Sequence, residues 1–319
     1  MNQRLADFLI DLAENADVRA AFERDPAGAM AHAGLSAAEQ AAVRSRDQRQ
    51  IRLLLSRAPA GRLTVAGAGI RPSHLTQEIR VAIAGADRVF HQLPPGLAAG
   101  IQPLNPRIES LLDLYAPDRS PGAVTAAIVD RLLAPARAGE SVCAVFHGHP
   151  GVLCYPAGAA IRQARQEGLE AAMLPGVSAE DCLYADLGID PATHGSQSYE
   201  ATDFLVHRRQ FDVRSLLLLW QVGGLGMPGR PPQHPDHGLA VLAETLRGHY
   251  PPDHRVAAYE AAADDTSPPT VRWLTLAELP GQALSPFTTL YVPPLEKPVA
   301  DPDVIARLQS DADAPRDPR

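Results

Sequence analysis

The residues best suited to chemistry in this chain are glycines and prolines that interrupt apolar runs. Gly148-His149-Pro150-Gly151 follows the run 142–146, and Pro175-Gly176 follows Met173-Leu174. Glycine removes Cβ and proline removes a backbone donor, so the chain breaks at each stretch. Ser178 and Asp181 have the spacing of a capping box, with Asp in place of Glu. Gly67-Ala68-Gly69 follows the run 62–66, and Gly223-Gly224-Leu225-Gly226 follows 216–221. Turns of this kind at the carboxyl ends of neighbouring strands form the crevice in which open α/β sheets bind ligands. Glycine there lets the backbone approach a ligand closely. The same turns also serve an ordinary strand–helix–strand unit that binds nothing. The bare G-x-G at Gly67 lacks the lysine of a phosphate loop and the third glycine of a dinucleotide fingerprint.

The elements that position these turns are read from periodicity. Strands are expected at 62–66, from Asp87, at 142–146, at Met173-Leu174, at 216–221 and at 255–261, with an edge strand at 288–292. Helices are expected at 75–84, at 157–166 with Gly168 as the C′ residue, after Ser178, and near 239–248. Residues 91–125 are rich in proline and give no clear pattern. Alternation of strands and helices makes this an α/β region.

Residues 1–57 differ. Leu5, Phe8, Leu9 and Leu12 share one helical face, and Val18, Ala21 and Phe22 mark a second short helix. Asp25-Pro26 reads as an N-cap with proline at the first helical position, and Gly34 stops that helix. Ser36 with Glu39 forms a capping-box pattern, and Asp47 caps a further helix holding Ile51, Leu54 and Leu55. The expectation is a small all-α module of about five helices, too small to be very stable alone.

Composition narrows the class. The chain has 319 residues, enough for two or three domains, with 45% hydrophobic and 21% charged residues, a globular balance. A net charge of -8 argues against a nucleic-acid partner. Cys143, Cys154 and Cys182 lack metal-ligand spacing and fit a reducing, cytoplasmic compartment. No bound metal is expected. No apolar run is long enough to span a bilayer, and no secretory leader pattern is seen.

The stretches GHPGV, LPGVSAED and the following C-L-Y-A-D-L-G-I-D-P resemble the tetrapyrrole methylase superfamily of S-adenosylmethionine enzymes. Within it they are most similar to the borosin peptide backbone α-N-methyltransferases. The likeness continues through Tyr199-Glu200-Ala201-Thr202-Asp203-Phe204-Leu205, Trp220-Gln221-Val222-Gly223 and Thr289-Leu290-Tyr291-Val292-Pro293-Pro294. It covers 62–296, weakly near 91–125. DPAGAMAHAGLSAAE, within 1–57, resembles the helical leader module of borosin precursors, although here it precedes the methyltransferase-like region. The domains expected are a leader-like module at 1–57, a two-lobed methyltransferase domain at 62–296 and a tail at 297–319.

The resemblance implies S-adenosylmethionine as cofactor and a homodimer. It places Gly67 and Gly69, then His147, His149, Pro150, Gly151 and Val152, then Ser178 and Ala179 against the cofactor. Tyr199, Ala201, Gln221, Val222 and Gly223 complete that set. Asp113-Leu114-Tyr115 is similar to the D-L-Y that opens the family's catalytic loop. An amide nitrogen is a poor nucleophile because its lone pair is delocalised into the carbonyl. Methylating it means removing a proton and stabilising charge on oxygen, a task that suits a phenol and a guanidinium. Tyr115 and Arg119 are the catalytic candidates. The stretch after Tyr115 is shorter than in the family, and a downstream tyrosine falls on Thr125. His147 stands where those relatives have tyrosine. The expected substrate is a ribosomal precursor peptide supplied by another chain, because 311–319 is charged and proline-bearing. A pseudo-methyltransferase that only binds cofactor or peptide, and a methyltransferase acting on a small tetrapyrrole-like molecule, are the alternatives.

Overall fold

The computed structural model describes residues 3–35, 37–56, 61–116, 119–226 and 235–310. They fall into two compact units, Met1–Gly176 and Val177–Arg319.

The first unit opens with helices α1 (Gln3–Glu14), α2 (Ala16–Arg24), α3 (Pro26–His32), α4 (Ala37–Ser45) and α5 (Gln48–Ser56). The Asp25 side chain accepts from Gly28 N–H with Pro26 in the first turn, and Asp47 accepts from Arg49 and Gln50. Both caps stand where the sequence placed them. Gly34 lies at φ +70°, a conformation favouring glycine, just beyond α3. Ser36 lies outside the described residues. The apolar face of α1 closes a small core of its own, in which Leu5 and Phe8 meet Met30, Leu35 and Val43. Phe8 and Phe22 pack edge to face at 5.9 Å.

The rest of the unit runs β1 (Arg62–Gly67), α6 (Gln77–Ala84), β2 (Arg88–Gln92), α7 (Pro95–Ile101), β3 (Ile108–Ser110), α8 (Pro121–Arg137), β4 (Ser141–Phe146), α9 (Tyr155–Gln166) and β5 (Glu170–Leu174). The sheet order is β3-β2-β4-β1-β5, and every pair is parallel. Such sheets are covered on both faces, so their central strands are continuously apolar. In β4, Val142, Ala144 and Phe146 face the α8/α9 side. Cys143 and Val145 face the α6/α7 side. Gly168 lies at φ +76° just beyond α9, the geometry expected of a C′ residue. The expected helix at 75–84 begins later, at Gln77, because Thr76 caps it and Pro72–His74 forms a 3-10 turn.

The second unit runs α10 (Ala179–Leu187), α11 (Pro191–His194), β6 (Ser196–Glu200), α12 (Ala201–Val206), β7 (Leu216–Trp220), α13 (Pro235–Arg247), β8 (Arg255–Glu260), β9 (Thr270–Thr275), β10 (Thr289–Val292) and α14 (Pro302–Ser310). Its sheet order is β6-β7-β10-β8-β9. The strand expected at an edge, β10, is therefore the central one. All four of its residues are buried, and it pairs antiparallel with β7 on one side and β8 on the other. Strand β7 (LLLLW) sends Leu217 and Leu219 to one core, and Leu216, Leu218 and Trp220 to the other. Among the described residues, no helix is long and apolar enough to cross a membrane.

Candidate active site

Strands β4, β1 and β5 are neighbours and parallel, so the loops that follow them leave the same edge of the sheet. Gly69 and Gly148 are joined there by an isolated antiparallel bridge. Their φ angles are +75° and +68°. A Cβ on Gly67 would strike the Gly148 carbonyl and stand 2.6 Å from Pro150 Cδ and 2.8 Å from Gly176 N. A Cβ on Gly176 would strike the same carbonyl and lie 2.5 Å from Gly67 O. The three loops thus touch backbone to backbone, at distances only glycine allows.

His149 shapes its own loop: its Nδ1 accepts from Gly151 N–H at 2.9 Å. A Cβ on Gly151 would lie 3.0 Å from the His149 ring, so a side chain at 151 would first press on His149. Pro150 is buried, whereas Gly151, Val152 and Leu153 are exposed. Leu153 is held at φ +51°, uncommon for a residue with Cβ. His147 is half-buried. Burial lowers its pKa, and a hydrogen bond to the Ile70 backbone opposes that shift.

Tyr115 is placed by its two predecessors. Asp113 takes two hydrogen bonds at 2.8 Å from Nη1 of Arg131 on α8. Leu114 is buried in the core under α8 and α9. Tyr115 then leaves the core with its side chain half-exposed. Burial raises its pKa first and Cys154 adds to the rise, while the Gln92 side chain pulls it down. Arg119 is exposed and precedes Ser120, whose hydroxyl caps α8. Its N–H reaches Ala116 O at 3.0 Å, closing a short turn, while Pro117 and Asp118 lie outside the described residues. Tyr115 and Arg119 therefore flank one turn.

The remaining candidates lie in the second unit. Ser178 and Asp181 form the predicted capping box: the Ser178 N–H donates to the Asp181 carboxylate at 2.7 Å, and Asp181 N–H donates to Ser178 Oγ at 3.2 Å. That hydroxyl is committed to the cap, and Ala179 packs on the core containing Leu183 and Tyr259. Strands β6 and β7 are parallel, with Glu200 opposite Trp220. Tyr199 turns its ring to Phe204 at 5.8 Å and donates its hydroxyl to Gln210 O at 3.2 Å. Ala201 and Val222 are fully buried. At Tyr199, Ala201 and Val222 the side chains serve packing, which leaves only backbone groups for a ligand. Gln221 sits at φ +61°, a sparsely populated region for residues other than glycine, and is exposed. A Cβ on Gly223 would strike the Ser285 and Leu284 carbonyls.

Sequence reading missed Gln92, Arg131 and Cys154, all of which act on the Tyr115 segment. Arg131 meets Asp113 across 18 residues, and no local pattern announces such a pair.

A family model for tetrapyrrole (corrin/porphyrin) methylases fits residues 62–267. The chain belongs to the tetrapyrrole methylases. A methyltransferase/ribosomally synthesized type I borosin cyclic peptide precursor of Coprinopsis marcescibilis is 38% identical over 245 residues, 74% of this chain and 62% of that protein. The methyltransferase/ribosomally synthesized cyclic peptide omphalotin A precursor of Omphalotus olearius is 35% identical over 257 residues, 78% of this chain and 62% of that protein. This tetrapyrrole methylase thus spans about three fifths of the length of these curated relatives. The crystal structure of a uroporphyrin-III-C-methyltransferase from Thermus thermophilus matches with a TM-score of 0.55 at 23% identity, covering 74% of this chain and 93% of that one. That likeness establishes the fold alone.

Proposed function

We propose that this tetrapyrrole methylase is an S-adenosylmethionine-dependent methyltransferase acting on backbone amide nitrogens of a ribosomally made precursor peptide. The observation that carries the reading is the likeness to relatives whose descriptions name both methyltransferase and peptide precursor, across three quarters of this chain. The loop geometry supports it. The loops after β1, β4 and β5 offer small residues and backbone groups, the donor set that suits an adenine ring and an amino-acid end. Among the described residues no cluster of His, Cys, Asp or Glu could hold a metal, and methyl transfer from a sulfonium needs none. The candidate cofactor contacts in the first unit are Gly67, Gly69, His149, Pro150, Gly151 and Val152.

Bound S-adenosylmethionine would supply a methyl group activated by its sulfonium. The chain's own residues deal with the amide. The Tyr115 phenolate would take up the N–H proton of the target amide. The Arg119 guanidinium offsets charge developing on the amide oxygen. Burial keeps Tyr115 protonated near neutrality, so the phenolate is reached on the alkaline side.

The peptide comes from another chain in this reading. The protein acts as a cytoplasmic homodimer. The test is incubation of purified protein with S-adenosylmethionine and a leader-bearing peptide, read by mass spectrometry. Added methyl masses on the peptide's backbone nitrogens are expected. Methyl additions on the protein's own backbone would refute supply in trans. Cofactor binding with no methylation of any peptide would favour the pseudo-methyltransferase, for which the shortened loop after Tyr115 is the motivation.

A further inference from the structure

We infer that Glu260 is the positioning residue for the turn Gln221-Val222-Gly223, which it holds in shape for the cofactor through the chain at 284–288. The inference rests on the proposed S-adenosylmethionine dependence and goes beyond it.

The sheet of the second unit brings these pieces together. Strand β10 is central and antiparallel to both β7 and β8. The chain entering β10 therefore passes between the ends of those two strands. Thr289 stands opposite Tyr259 on β8, and Leu290 stands opposite Leu219 on β7. Glu260 is the last residue of β8, and Gln221 directly follows β7.

Glu260 Oε1 accepts from Ser285 Oγ at 2.8 Å and from Thr288 Oγ1 at 2.6 Å. Ser285 Oγ also accepts from Phe287 N–H at 3.2 Å, and Thr288 N–H donates to Ser285 O at 3.0 Å. One carboxylate oxygen thus ties both ends of a closed turn. Hydrogen bonds to a charged acceptor are roughly twice as strong as neutral ones. The tied turn bears on 221–223 in two places. Thr288 O accepts from Val222 N–H at 3.1 Å. The Ser285 and Leu284 carbonyls occupy the space a Cβ on Gly223 would need, so backbone rests on backbone there.

Gln221 is exposed and held at φ +61°. A residue with Cβ stays in that region only where its surroundings over-determine it, and such strain gathers at ligand clamps. The contacts from 284–288 supply the constraint. Seating β10 does not need them, because all four of its residues are buried between β7 and β8. What the Glu260 carboxylate adds is the shape of the segment just before β10, and through it the shape of the turn after β7.

Amide hydrogen exchange in the full chain reads the Val222 N–H directly, with the β7 amides as control. In Glu260→Leu and in Thr288→Val the Val222 amide should exchange faster while β7 keeps its protection. Glu260→Gln keeps an acceptor oxygen and should restore most of that protection. Calorimetry should show S-adenosylmethionine affinity weakened about tenfold in Glu260→Leu and largely recovered in Glu260→Gln. Val222 protection equal to wild type in both Glu260→Leu and Thr288→Val overturns the inference. A loss spread evenly over Val222 and β7 also overturns it, because Glu260 would then be a general stabiliser. Faster Val222 exchange with unchanged cofactor affinity overturns it as well, since the turn would serve no cofactor. A wild type that binds no S-adenosylmethionine, with Val222 protection still dependent on Glu260, removes the proposed reaction and leaves the clamp standing.

Discussion

Gly69 and Gly148 exchange two backbone hydrogen bonds: Gly148 N–H donates to Gly69 O at 2.9 Å, and Gly69 N–H donates to Gly148 O at 3.3 Å. Both residues have positive φ, so the pair stitches the β1 and β4 loops together in a backbone shape open chiefly to glycine. Substituting Gly148→Ala meets only Ile70 Cδ1 at 3.4 Å, an ordinary contact. Its cost is the left-handed conformation, about 1–2 kcal/mol. Gly69→Ala adds a collision with His74 Cβ, the residue whose Nδ1 accepts from Ile70 N–H. Thermal melts should rank the variants wild type, Gly148→Ala, Gly69→Ala in falling stability.

A Cβ on Gly67 points at backbone in both neighbouring loops, which cannot swing aside like a side chain. Gly67→Ala should therefore pry the three loops apart, with an overpacking cost of about 1–3 kcal/mol. S-adenosylmethionine binding, measured by calorimetry on protein that remains folded, should be lost. Unchanged affinity would remove these loops from the cofactor site.

How much of this was legible beforehand depends on how local each signal is. The Ser178–Asp181 box, the Asp25-Pro26 start and the glycine turns are set by neighbours a few residues apart, and each stands where the sequence put it. Strand β10 misled because its burial comes from β7 and β8, far away in sequence, and a short apolar run cannot show how many neighbours it has. The short β3 and α7 were hidden among prolines at 91–125. Tyr115 was visible through Asp113-Leu114-Tyr115, but the residues that tune it come from β2, α8 and the head of α9. Only the parallel crossovers bring them together.

In the Asp113–Arg131 pair one guanidinium nitrogen, Nη1, meets both carboxylate oxygens, and the pair is partly open to solvent. Exposed pairs of this kind contribute about 0.2–1 kcal/mol. Arg131→Gln should hardly change the melting temperature. It should nonetheless lower kcat for peptide methylation, because the turn before Tyr115 loses its tie to α8. A fall in stability matching the fall in rate would make the pair structural only.

Tyr115→Phe removes one half-exposed hydroxyl while Leu114 keeps the packing. Fold and cofactor affinity should be retained. Methylation should drop by about 10²–10⁴-fold, the usual contribution of a general acid or base. Because burial raises the Tyr115 pKa, the wild-type rate should climb into the alkaline range, and that ascending limb should vanish in the variant. A wild-type profile flat from neutral to alkaline pH would exclude the phenolate as base.

The last prediction concerns acid. His91 and His147 both have pKa values lowered from 6.5, with burial the first cause. For His147 the hydrogen bond to the Ile70 backbone opposes the shift. His91 is nearly fully buried, and its Nδ1 has no hydrogen-bond partner among the described residues. Each ring is therefore favoured neutral in the folded chain. Below a pH of 6.5 the unfolded chain takes up these protons before the folded chain does. The unfolded state then binds more protons, so stability must fall as pH falls. The stability these rings contribute is present above 6.5 and is lost as pH drops through their folded values. Urea midpoints measured from neutral pH downward should decline in wild type. His147→Gln keeps a polar group but does not titrate, and should flatten part of that decline. His91→Leu should flatten it further and remove an unpaired buried nitrogen. A decline identical in all three proteins would assign the acid sensitivity to other groups.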